Sequence, residues 1–194
     1  LKEKFSAKGE TSPQRGGKNQ KNIEIIYGDI LTSPLAPLLG KERGYKIIAN
    51  IPYYITSHFL KLFLSESKNK PSLMVLMIQK EVAERIVARD GKESLLSLSI
   101  KAYGKPEIIK IVRRGNFSPS PRVDSAIIKI SDISDKWFKK NKTKEKEFFE
   151  ILRKAFQQKR KMLRHSIGKN LPEKYQNKRP EELKLEDWKT IINP

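Results

Sequence analysis

Residues 49–55 read ANIPYYI and carry the most specific chemistry in the chain. An apolar run, YKIIA (45–49), brings an amide, a proline and a tyrosine to its carboxyl end. A flat base bearing an exocyclic amine, such as adenine, needs acceptors for its two N–H groups and a surface beneath its ring. The side-chain carbonyl of Asn50 supplies one acceptor and the main-chain carbonyl of Ile51 the other. Pro52 fixes the backbone so that this carbonyl faces outward. Tyr53 then offers its ring for stacking. Two such acceptors draw the amine toward a tetrahedral shape and free its lone pair for attack. No nucleophilic side chain is required. A plain strand-to-helix turn also explains Asn50 and Pro52, but it does not explain the tyrosine behind them.

Three other stretches bear on the same chemistry. In NFSPSPRVDSAIIKI (116–130), two prolines one residue apart stiffen an extended segment before a strand. Phe117 heads it in a polar setting. It either closes over a flipped base from the side opposite Tyr53 or tucks its ring under a loop. In YGDIL (27–31), Asp29 can accept from the amine of a bound adenosine or cap the turn that follows. The third stretch, EFFEILRKAFQQKRKMLRHSIGK, has helical periodicity, with Phe149, Leu152, Phe156, Leu163 and Ile167 on one stripe. Lys159, Arg160, Lys161 and Arg164 interrupt that stripe, and Arg153 and Lys154 lie two turns earlier. Such a cluster is a solvated face or a set of phosphate contacts, which supply affinity and register. His58 and His165 have no partner at catalytic spacing, and the sequence holds no metal-ligand cluster.

Composition points the same way. Among 194 residues, 41 Lys and Arg face 22 Asp and Glu, a net charge of +19. That balance implies a polyanionic partner, most often nucleic acid. Residues 136–170 alone hold 13 basic against 3 acidic residues. There is no cysteine, which excludes disulfides, thiolate zinc and cysteine nucleophiles and suits a reducing cytosol. No apolar stretch is long enough to span a membrane.

These residues need a frame. Residues 6–22 read as a flexible polar loop after the end of a helix (LKEKFS). Strands are expected at NIEIIY (22–27), YKIIA (45–49), SLMVLMI (72–78, buried on both sides), EIIKIV (107–112) and SAIIKI (125–130). Helices are expected at 56–67, capped by Thr56 or Ser57, at 79–91 ending on Gly91, and from Ser94 to Tyr103. This alternation implies an α/β fold, a largely parallel sheet with helices on both faces. The last two strands are expected to pair antiparallel at one edge. Ligands in such folds sit beyond the carboxyl ends of the strands, where GDI and NIPYY both lie. A small helical domain follows from about residue 134, with a last helix within 179–193 entered through Pro180 or capped near Leu185.

In this order, GDIL, ANIPYYITS, VLMIQKEVAERIVA, FSPSPRVDSA, AFQQKRKMLRHSIG and RPEEL resemble the small-subunit rRNA adenine N(6)-dimethyltransferases of the KsgA/RsmA type. The resemblance runs from about residue 23 to the end. It implies a Rossmann-like methyltransferase domain over 23–133 and an all-α rRNA-binding domain over 134–194. The implied cofactor is S-adenosylmethionine, with Asp29 and Ile30 at its adenine and Asn50 between cofactor and target base. Tyr53 and Phe117 would sandwich the flipped adenine. The implied product is two adjacent dimethyladenosines near the 3′ end of 16S rRNA, made during small-subunit maturation by a cytoplasmic monomer without metal.

Two departures matter. The family's Arg-Arg-Lys signature is here Lys159-Arg160-Lys161, which keeps the charge but loses a bidentate donor. The family's Gly-rich turn and the acidic residue that follows it are absent, and both belong upstream of Leu1. The chain is therefore expected to be an amino-terminally truncated piece without the first two strands, marginally folded and inactive alone. YKIIA would present an open apolar edge. The alternatives are a macrolide-resistance methylase of the large subunit, a non-catalytic rRNA-binding or assembly factor, and a plain basic ribosomal-type protein. RPEEL and the basic tail favour the small-subunit enzyme over the first, and the last leaves NIPYY and Phe117 unexplained.

Overall fold

The computed structural model describes residues 28–31, 44–88, 92–168 and 171–193. The expected strand at 22–27, the loop before it and Gly91 lie outside them. Four strands form one mixed sheet: β1 (Lys46–Asn50), β2 (Leu73–Gln79), β3 (Lys105–Val112) and β4 (Ser125–Ser131), in the spatial order β1-β2-β4-β3. β1 runs parallel to β2, with Ile48 opposite Val75 and Asn50 opposite Met77. β4 runs antiparallel to both of its neighbours, so Ile128 faces Leu76 on one side and Ile108 on the other. The expected antiparallel pair is present, with β3 as the outer strand, where Pro106 costs no ladder bond.

The register brings three strand ends together. β1 and β2 both finish at the edge where β4 begins, with Asn50 beside Met77 and Ser125 beside Gln79. The strands alternate in burial. Met74, Leu76, Ile78, Ala126, Ile128 and Ile130 are fully buried, while Leu73, Val75, Met77, Ile127 and Lys129 are half-buried. The uninterrupted apolar run of β2 thus buries only alternate side chains fully among the described residues, unlike the two-sided burial expected from it. On β1, Ile48 is 80% exposed.

Helices follow the strands as the patterning requires. A 3₁₀ turn, Tyr53–Ile55, leads into α1 (Thr56–Lys61), and a π turn continues it over Leu62–Glu66. The stripe of Phe59, Leu60, Phe63 and Leu64 is buried as its spacing dictates. No side chain caps α1, so neither Thr56 nor Ser57 has the expected role. α2 (Lys80–Ile86) is shorter than expected and gives way at Val87. α3 (Leu95–Lys101) starts at Ser94, whose hydroxyl accepts from Ser97 N in a capping box. Gly104 passes so close to β4 that a Cβ there would lie 2.9 Å from the Ser131 carbonyl.

Beyond Ser131 every described element is helical: α4 (Lys136–Lys140), α5 (Glu145–Gln157), α6 (Leu163–Ser166), α7 (Glu173–Gln176) and α8 (Leu185–Ile192). They bury Phe148, Leu152, Leu163, Leu183 and Trp188 completely. The segment 179–193 is split into a 3₁₀ turn at Pro180–Glu182 and α8, so both proposed entries exist. The long basic helix does not. α5 ends at Gln157, Gln158 adopts φ −121° and ψ 49°, and Lys159–Lys161 form a turn before α6. Leu163 N donates to Lys178 O at 2.8 Å, a bond that an uninterrupted helix would forbid.

Polar contacts tie the helical region to the sheet region, among them the ion pair of Lys70 with Asp135 at 3.1 Å. The Glu145 carboxylate accepts from Ser65 Oγ at 2.8 Å and from the Tyr103 hydroxyl. Glu93 N donates to Glu181 O at 2.9 Å, which gives the RPEEL stretch a structural role. No described helix is long and apolar enough to cross a membrane.

Candidate functional site

Asn50 is the last residue of β1. Ile51 buries its side chain in the core, at 5% exposure, and thereby orients the peptide units on either side of it. Pro52, at φ −56° and ψ 135°, turns the chain, and its carbonyl accepts from Ile55 N at 3.1 Å. Asn50 to Tyr53 line a cavity of about 330 Å³ together with Met77, Phe117, Pro119 and Pro121. That is within the range of small-molecule sites. Strand end and distant loop, read separately in the sequence, share one wall.

Neither the Asn50 side-chain amide nor the Ile51 main-chain carbonyl has a hydrogen-bond partner among the described residues. Both residues line the cavity. Tyr53 is half-buried, and its hydroxyl lies 2.8 Å from Ser125 Oγ, the fully buried first residue of β4. Phe117 is half-buried and sits on a loop tied to itself: Arg114 N donates to Asp124 Oδ1 at 2.9 Å, and Ser120 Oγ to Arg114 O at 3.0 Å. The Ser118–Pro119 peptide within that loop is cis. Tyr53 and Phe117 make no ring contact with each other.

The remaining candidates are not in the lining of that cavity. Asp29 is exposed, and its Oδ1 accepts from Leu31 N at 2.9 Å, the turn-capping geometry that was the alternative to ligand binding. Its second oxygen has no partner among the described residues. Ile30 packs against the core. Arg153 stands with its guanidinium 5.9 Å from the Phe149 ring and lines a separate apolar cavity of about 470 Å³ between α1, α3 and α5. Lys154, Lys159, Arg160 and Lys161 are exposed. Arg164 is held by Asn177 Oδ1 at 2.6 Å and His165 Nε2 at 3.1 Å. Sequence reasoning passed over Ser125 and Met77. Their only signal was position, at strand ends facing NIPYY.

A family model described as ribosomal RNA adenine dimethylase matches residues 3–191. The chain belongs to the ribosomal RNA adenine dimethylase family. It is 39% identical over 187 residues to ribosomal RNA small subunit methyltransferase A of Dehalococcoides mccartyi, covering 90% of this chain and 63% of that one. The same-named protein of Halothermothrix orenii is 43% identical over 156 residues, with 77% and 50% covered. The chain thus spans about half to two thirds of the length of these relatives. Among solved structures, a dimethyladenosine transferase from Plasmodium falciparum superposes with a TM-score of 0.72 at 25% identity, covering 89% of this chain and 72% of that one. The 23S rRNA methyltransferase ErmE does so at 0.65 and 19%, with 89% and 71% covered, which speaks to fold alone. The dimethylase family and these neighbours agree with the Rossmann-like methyltransferase sheet expected from the sequence.

Proposed function

We propose that this chain is the target-base and rRNA-binding part of an S-adenosylmethionine-dependent small-subunit rRNA adenine dimethyltransferase. The observation that carries the reading is that Asn50 and Ile51, whose side-chain amide and main-chain carbonyl have no partner among the described residues, share a cavity with Tyr53 and Phe117. The small-subunit reading is supported by the names of the dimethylase relatives and by RPEEL. The substrate is 16S rRNA in a cytoplasmic precursor of the small subunit, and the protein acts as a monomer. The product is two adjacent dimethyladenosines near the 3′ end.

S-adenosylmethionine supplies an activated methyl group when bound. The residues at hand fit its adenine end: the Asp29 oxygen without a partner among the described residues would accept a hydrogen bond from the amine, and Ile30 would pack beside it. Asn50 would stand where that group and the target base meet. The Asn50 side-chain carbonyl and the Ile51 main-chain carbonyl accept the two N–H bonds of the target amine. Tyr53 and Phe117 hold the ring between them and exclude water. Catalysis by this chain rests on positioning and desolvation more than on acid–base groups. Lys159, Arg160 and Lys161, with Arg153, Lys154 and Arg164, neutralise rRNA phosphates.

Replacing Asn50 by Ala in the intact protein tests the reading. It should abolish methyl transfer and leave rRNA affinity nearly unchanged. Equal loss of both would make NIPYY a packing element of a non-catalytic binding protein.

A further inference from the structure

We infer that Tyr54 is a second, external stacking platform, which takes the base next to the adenine held by Asn50, Tyr53 and Phe117. The inference rests on the reading of that cavity given above. Tyr54 is 89% exposed, more than any other large hydrophobic side chain among the described residues. It has no hydrogen bond, ring contact or cation partner there. A single exposed aromatic is ordinary in itself. Its place decides the matter.

Tyr53, Tyr54 and Ile55 form one 3₁₀ turn, in which three successive side chains leave the axis in three directions. Tyr53 leaves toward the cavity and Ser125, and Ile55 packs against the core. Tyr54 takes the third direction, into solvent. Its Cα is about 3.8 Å from that of Tyr53, the spacing of any trans peptide. Pro52, Ser57 and His58 near it in the chain are exposed, and no described neighbour covers the ring.

A base flipped into the cavity leaves its neighbour in the strand with one face unstacked. An exposed aromatic ring one residue along from the cavity wall replaces the lost stacking partner, and such stacking is tolerant of base identity. The nucleotide concerned is a single-stranded purine or pyrimidine adjoining the target. Tyr54 touches it through the ring face and reads no hydrogen-bonding edge. The free phenol needs no partner because it stays in water.

The test uses the intact protein and an rRNA hairpin with 2-aminopurine at either the target or the adjoining position. The wild-type protein should change the fluorescence of both probes. Tyr54→Ala should abolish quenching at the adjoining probe alone and raise KM about tenfold, with kcat nearly unchanged. Tyr54→Trp should restore both. Tyr53→Ala should act on the target probe. If Tyr54→Ala leaves the adjoining probe quenched, or KM unmoved, the platform is disproved while the cavity reading stands. A target probe indifferent to Tyr53→Ala overturns the cavity reading and the platform with it.

Discussion

The phenolic oxygen of Tyr53 stands 2.8 Å from the hydroxyl of Ser125, 72 residues further along the chain. This bond fixes the ring that forms one wall of the cavity to the first residue of β4, so the wall inherits the rigidity of the sheet. The two hydroxyls differ in surroundings. Ser125 is fully buried and Tyr53 only half so. Tyr53→Phe strands the buried serine hydroxyl, at about 1–3 kcal/mol, whereas Ser125→Ala leaves a phenol that water reaches. Thermal unfolding should therefore rank Tyr53→Phe below Ser125→Ala. Both should keep methyl transfer within about tenfold of wild type, and Tyr53→Ala should lose about ten- to a hundredfold through lost stacking.

Glu93 is buried with a side-chain exposure of 6%, and both of its oxygens are engaged, by Lys101 Nζ and by Ser97 Oγ at 2.6 Å. Lys101 also donates to Ala88 O. Removing the cation alone leaves a buried carboxylate against a single hydroxyl. Lys101→Met should cost about 3 kcal/mol in denaturant unfolding, and adding Glu93→Gln should recover most of it. Because Glu93 N also donates to Glu181 O, the single variant should loosen RPEEL, seen as faster amide exchange there.

Burial and the bond to Glu145 push the Tyr103 hydroxyl far above its ordinary value. A phenol whose folded pKa is raised contributes stability that is fully present below the unfolded value, about 10, and lost as pH rises beyond it. Wild-type stability should fall steeply above about pH 10. Tyr103→Phe should be less stable at neutral pH but flatter over that alkaline window. Identical alkaline slopes for the two proteins would refute the assignment.

Lys159, Arg160 and Lys161 form an exposed turn beyond the end of α5. Each phosphate neutralised releases counterions, about 0.7–0.9 per contact. Substituting all three by Ala should lower the slope of log affinity against log salt by about 2 to 3, with little effect on kcat at saturating rRNA. Arg164→Ala should matter less for binding and more for folding, because its guanidinium already holds Asn177.

How much of this was legible in the sequence depends on the range of the interaction concerned. The stripe Phe59–Leu60–Phe63–Leu64, the Ser94 cap and the β3–β4 pairing are local patterns, and all of them hold. NIPY and Phe117 could be matched to one cavity because each fragment has its own chemistry. The break after Gln157 could not be read. AFQQKRKML has good helix formers and no Gly or Pro, so propensity continues the helix. What stops it is tertiary, the Leu163–Lys178 bond and the burial of Leu163. Ser125 was invisible for the same reason, since a serine opening a strand carries no sign of the tyrosine it will meet.

The most direct measurement of the central claim is nucleoside analysis of small-subunit rRNA after incubation of unmodified precursor subunits with the intact protein and S-adenosylmethionine. The account predicts N(6)-dimethyladenosine at two adjacent adenosines near the 3′ end, absent with Asn50→Ala. Tight rRNA binding with no methylated adenosine from the wild-type protein would contradict it.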